Sequence, residues 1–152
     1  MRPLGVILVA MLPAMSATAE DEATQDSIAY VPSLGEIMTK IELSRSKLWY
    51  SVRLRNWTLA VYQLGQVKSG FRDLELLYPM PTSDLAETDR ITLLLEEAVK
   101  TKDEKRFDQF FAEMTDECND CHKTKGVPFL HVGVPKVPDP YGERMLEPTM
   151  TR

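Results

Sequence analysis

The segment SLGEIMTKIELSRSKLWYSVR, residues 33–53, opens with a serine three places before a glutamate. That is the capping-box pattern, in which the Ser33 hydroxyl and the Glu36 carboxylate each satisfy a backbone N–H that a first helical turn leaves without a partner. From there Leu34, Ile37, Met38, Ile41, Leu48 and Trp49 recur at helical spacing, which predicts one apolar face on a helix running to about Arg53.

The same reading extends to both sides. Asn56 is a good N-cap for a second helix, with an apolar stripe of Leu59, Ala60, Leu64, Val67, Phe71, Leu74 and Tyr78. Two prolines, Pro79 and Pro81, stop it. A third helix is expected from about Asp84, with Ile91, Leu94, Leu95, Ala98 and Val99 facing inward. Asp103 caps a fourth, which carries Phe107, Phe110, Phe111, Met114 and Cys118 and ends at Gly126. There is no internal repeat, no Gly-rich phosphate loop and no alternating strand pattern. The expected fold is therefore all-α: an antiparallel up-down four-helix bundle over residues 33–126, with an irregular Pro-rich C-terminal tail over 127–152.

Residues 1–19 read as a removed signal peptide: Arg2, an apolar run from Leu4 to Met15, then the A-x-A site Ala17-Thr18-Ala19. Such a run is short for a bilayer span, which needs about 20 apolar residues; a buried helix or a retained anchor is the plainer alternative. Residues 20–32, polar and irregular, are expected to form a flexible lead-in. Export, to a bacterial periplasm, is the localisation expected. Without Arg2 the chain has 17 basic against 23 acidic residues, a net charge of −6. That balance tells against nucleic acid, whose phosphates need a basic face. No other segment is apolar enough to be membrane-embedded.

Both cysteines of the chain and one of its two histidines fall within CNDCH, residues 118–122. C-x-x-C-H is the attachment signature of c-type haem. On a helix the two sulfurs lie three residues apart on one face, where both can reach the haem vinyl groups, and His122 returns to that face four residues after Cys118. A redox CxxC is expected beside a βαβ pattern, which is missing here. A disulfide leaves His122 without a role, and structural zinc wants four protein ligands. One covalently attached haem c, with its iron, is the cofactor expected.

A CxxCH near the end of the last helix of an exported bundle resembles the cytochrome c′ family and its low-spin relatives. The likeness spans about Val31 to Gly126, and its one sharp motif is Cys118-Asn119-Asp120-Cys121-His122. The stretches VPSLGEIM, SKLWYS and NWTLAVYQL are also similar to a set of small exported haem proteins. The resemblance implies that Cys118 and Cys121 carry the thioether bonds, that His122 is the proximal iron ligand and that Met38 is the distal one. Cytochrome c′ typically has an aromatic residue and an arginine three and four places after the histidine. Here Lys125 and Gly126 stand there, a departure that tells against gas sensing of that kind.

In an up-down bundle the start of helix 1 and the end of helix 4 share one end. Met38 and His122 then lie at matched heights, about 6 Å from that end at 1.5 Å per residue. Core filler is the plainer role for Met38. Met80 in the loop, Met114 one turn above Cys118, and His131 in the tail are the other candidates for the sixth iron position. Trp49 and Trp57 read as packing residues, and Lys100–Arg106 as a solvated turn. Arg45 and Arg53 are candidates for haem propionates. Two functions follow. One is electron transfer through a six-coordinate His/Met haem with a redox partner protein; the other is a five-coordinate haem binding NO or CO. No catalytic set is identifiable, so an enzyme is not expected. A homodimer is compatible with the sequence.

Overall fold

The computed structural model describes residues 30–136, apart from the side chains of residues 82–84. The expected signal peptide, most of the lead-in and the tail beyond residue 136 lie outside the described residues. Residues 31–136 belong to one compact unit.

Four α-helices make up that unit: α1 (Leu34–Arg53), α2 (Trp57–Leu77), α3 (Thr82–Thr101) and α4 (Glu104–Thr124). The fold is an all-α four-helix bundle, with no strand among the described residues. Local chemistry sets most boundaries. The Glu36 amide donates to Ser33 Oγ at 3.3 Å, and the Ser33 amide donates back to Glu36 Oε2 at 2.8 Å. Asn56 Oδ1 accepts from the Leu59 amide, and Asp103 Oδ1 from the Arg106 amide. Helix α3 starts two residues earlier than expected, with Pro81 at its N-cap making no side-chain hydrogen bond.

The core joins Ile37, Ile41, Leu48 and Val52 of α1 to Leu64, Val67 and Leu74 of α2, with Ile91 and Leu95 of α3 and Phe107, Phe111 and Met114 of α4. Leu34, expected on the inner face, is exposed. Helices α1 and α2 approach closely at Gly70: a Cβ there would collide with Cγ1 of Ile41 and stand 3.2 Å from its Cδ1. Tyr78 Oη donates to the Pro32 carbonyl at 2.9 Å, which ties the end of α2 to the start of α1.

Helices α1 and α4 meet in a regular register. Arg53 pairs with Asp108, Trp49 packs against Phe111 with the rings tilted, and Arg45 donates to Thr115 Oγ1 at 3.0 Å. Residue numbers rise along one helix as they fall along the other, so this pair runs antiparallel. Helix α3 meets α4 in the same sense, Arg90 pairing with Glu113 and Glu97 with Arg106.

Candidate haem-attachment site

Helix α4 ends in a Schellman motif. Gly126 has φ +76°, its amide donates to the Lys123 carbonyl at 3.1 Å, and the Val127 amide donates to the His122 carbonyl at 2.9 Å. Left-handed backbone of this kind favours glycine and closes the orphan carbonyls of the last turn. It also reverses the chain, so the residues after Gly126 return along α4 instead of leaving the bundle.

The cysteines and histidine of CNDCH therefore lie on the last two turns of a helix with a satisfied end. Cys118 and Cys121 are half-buried and are not joined in a disulfide. Cys118 packs against the core, while His122 is half-buried. Burial pushes the Cys118 thiol up to about 11; the charge of Arg45 acts in the opposite direction and only in part offsets this. A thiol–disulfide catalyst needs its attacking cysteine depressed toward neutrality. Cys118 is shifted the other way, so it stays protonated at pH 7. Among the described residues, no group of three or more His, Cys, Asp or Glu is placed to hold a bare metal ion.

The returning chain docks on the motif. His122 Nδ1 lies at 2.5 Å from the Leu130 carbonyl oxygen. A carbonyl oxygen can only accept, so in the neutral ring Nδ1 carries the proton and Nε2 keeps its lone pair. Two residues on, the Asn119 side chain embraces Val132: its Nδ2 donates to the Val132 carbonyl at 3.0 Å, and its Oδ1 accepts from the Val132 amide at 2.9 Å. The next carbonyl, of Gly133, accepts from Arg45 Nη2 at 2.6 Å.

Arg45 is only 1 % exposed and makes contact on every side. Its Nε and Nη2 donate to the Glu42 carboxylate at 2.7 and 3.0 Å, Nη1 donates to Thr115, and the guanidinium lies 4.9 Å from the Phe111 ring centroid. A buried charge is tolerable when it is paired and hydrogen-bonded in this way. Arg53 instead pairs with Asp108 and lies over the Trp49 ring, two turns further from the motif.

Met38 is half-buried and packs against the core. Counting from the Arg45–Thr115 contact, it lies seven residues toward the start of α1, and His122 lies seven toward the end of α4. At 1.5 Å per residue both are about 10.5 Å along, so the α1–α4 register carries Met38 level with His122. Met114 is fully buried in the core, Met80 is half-buried against it, and His131 is exposed between the two docked residues Leu130 and Val132. The residues that sequence reading passed over are Asn119, Thr115 and Gly133. A signal for them was present in Gly126 followed by Pro128, a pair that marks chain reversal.

No family model, curated protein or solved structure matches the chain. The chemistry of the site thus rests on this chain's own residues. Among the described residues, no helix is long and apolar enough to cross a membrane.

Proposed function

We propose that this chain is an exported c-type cytochrome that carries single electrons to or from a redox partner protein, as its resemblance to the low-spin relatives of cytochrome c′ implies. The observation that carries this reading is the end of α4. Two cysteines three residues apart are followed by a histidine whose Nδ1 is engaged by the Leu130 carbonyl, which would leave Nε2 to bind the iron. In attachment, the Cys118 and Cys121 thiols would each add across a vinyl double bond of the haem, the sulfur bonding to one carbon and the proton passing to the other.

A haem held there supplies a one-electron ferrous/ferric couple. The chain's own residues tether, orient and tune it. Cys118 anchors one edge in a desolvated site, and Cys121 holds the second tether. Arg45, bonded to the Glu42 carboxylate, brings a partly buried ion pair rather than a lone charge close to Cys118. Met38, level with His122, would be the second donor to the iron, since a neutral thioether stabilises ferrous iron.

Expression alongside haem-attachment machinery tests the reading. Haem should remain on the denatured polypeptide through acid–organic extraction, and Cys118→Ala with Cys121→Ala should abolish that retention. Wild-type protein without bound haem would sink the proposal. The wild-type spectrum should be low-spin with little CO binding, and Met38→Ala should turn high-spin, bind CO and show a lower potential. His131→Ala should leave all three unchanged. A wild type that is already high-spin would favour the five-coordinate NO or CO binder instead.

A further inference from the structure

We propose that Val127–Gly133 is a strap that positions His122 for its axial bond, with Asn119 and Arg45 as the latches that hold the strap in place. This rests on the haem-attachment reading. A free imidazole divides between two tautomers and rotates about its bond to Cβ. Only the Nδ1–H tautomer presents Nε2 as a donor, and the Leu130 carbonyl selects that form and fixes the ring plane.

The strap cannot dock on its own side chains. Phe129 is 78 % exposed and Leu130 51 %, so little apolar surface is buried in exchange for ordering seven residues. Backbone hydrogen bonds do the holding instead. The Asn119 amide meets both the N–H and the C=O of Val132, as a neighbouring strand would. Arg45 holds the Gly133 carbonyl while bonded to Glu42 on α1 and Thr115 on α4. One guanidinium thus links two helices and the strap, and the ring of His122 is held from 11 residues further along the chain.

Asn119→Ala and Val132→Pro break the same latch from opposite sides in the full-length chain, and neither touches His122. In the haem-free protein, nitrogen NMR of His122 should show a single Nδ1–H tautomer in the wild type and a mixture in both variants. The Val132 amide should exchange roughly tenfold faster in Asn119→Ala, as expected for an easier local opening, with helical content unchanged. In haem-loaded protein the haem per chain should be unchanged, while the reduction potential rises, because an imidazole that loses its Nδ1–H acceptor is a weaker donor to ferric iron. The strap is refuted if His122 keeps one Nδ1–H tautomer while Val132 exchanges fast, or if the potential does not move. A wild type that carries no haem refutes the cytochrome reading, and the haem-free tautomer measurement still decides the strap.

Discussion

At the end of the α1–α4 seam remote from the CNDCH turn, Trp49 lies 4.9 Å from the Phe111 ring centroid and 6.1 Å from that of Phe107, under the guanidinium of Arg53. At the motif end the same two helices meet through Arg45, Thr115 and the half-buried Cys118. The first contact is apolar and non-directional, and it gains stability simply by removing area from water. The second is made of directed hydrogen bonds around a buried charge. The difference teaches a division of labour. The α1–α4 contact is dry and aromatic at one end, while at the other it keeps two thiols and an imidazole at a half-open edge.

The aromatic end should be the more costly to disrupt. Phe111→Ala should cost about 3–5 kcal/mol in denaturant unfolding of the haem-free chain, through lost transfer energy and the cavity left behind. Cys118→Ala at the motif end should cost about 1 kcal/mol in the same assay. Equal losses would contradict the division.

Arg45→Met sharpens the polar side of the contrast. Glu42 is left without its partner, but its side chain is 43 % exposed and recovers water. Thr115 Oγ1 still donates to the Phe111 carbonyl. The loss should therefore be about 1–3 kcal/mol, less than for a fully enclosed ion pair. Hydrogen exchange at residues 130–133 should quicken more than anywhere in α2. Uniform quickening across the bundle would mean that Arg45 supports the fold rather than the strap.

The α2–α3 face sets the small end of the scale. Hydrogen bonds from Lys100 and Lys68 lower the Glu96 carboxyl from 4.5 to about 2, against a small opposing effect of burial. A depressed folded-state value adds stability that is complete above the unfolded value and fades as pH falls from about 4.5 to about 2. The group is partly exposed, so Glu96→Gln should cost less than about 1 kcal/mol at pH 7. That difference should vanish near pH 2 in paired unfolding curves. A difference that persists there would rule out the ion pairs as its source.

Ser33, Asn56, Asp103 and Gly126 were legible as helix boundaries because each acts on backbone groups within three or four residues of itself. The apolar faces were legible for the same reason, since a helical period is a local property. Buried Ser44, Arg45, Gln63, Thr92 and Thr115 were not, because a pattern of apolar positions says nothing of polar groups that find partners inside. The start of α3 was misjudged at a proline that offers no cap to read.

By itself the sequence determined four helices, the N-caps of three of them and one turn carrying two thiols and an imidazole, all through interactions spanning a few residues. Only the tertiary structure decided which nitrogen of His122 is engaged, and by what. Arg45 and the Gly133 carbonyl it holds are 88 residues apart in sequence. They meet because packed apolar faces bring α1 beside α4 and a left-handed glycine turns the chain back along it. Neither condition is visible in the residues that touch.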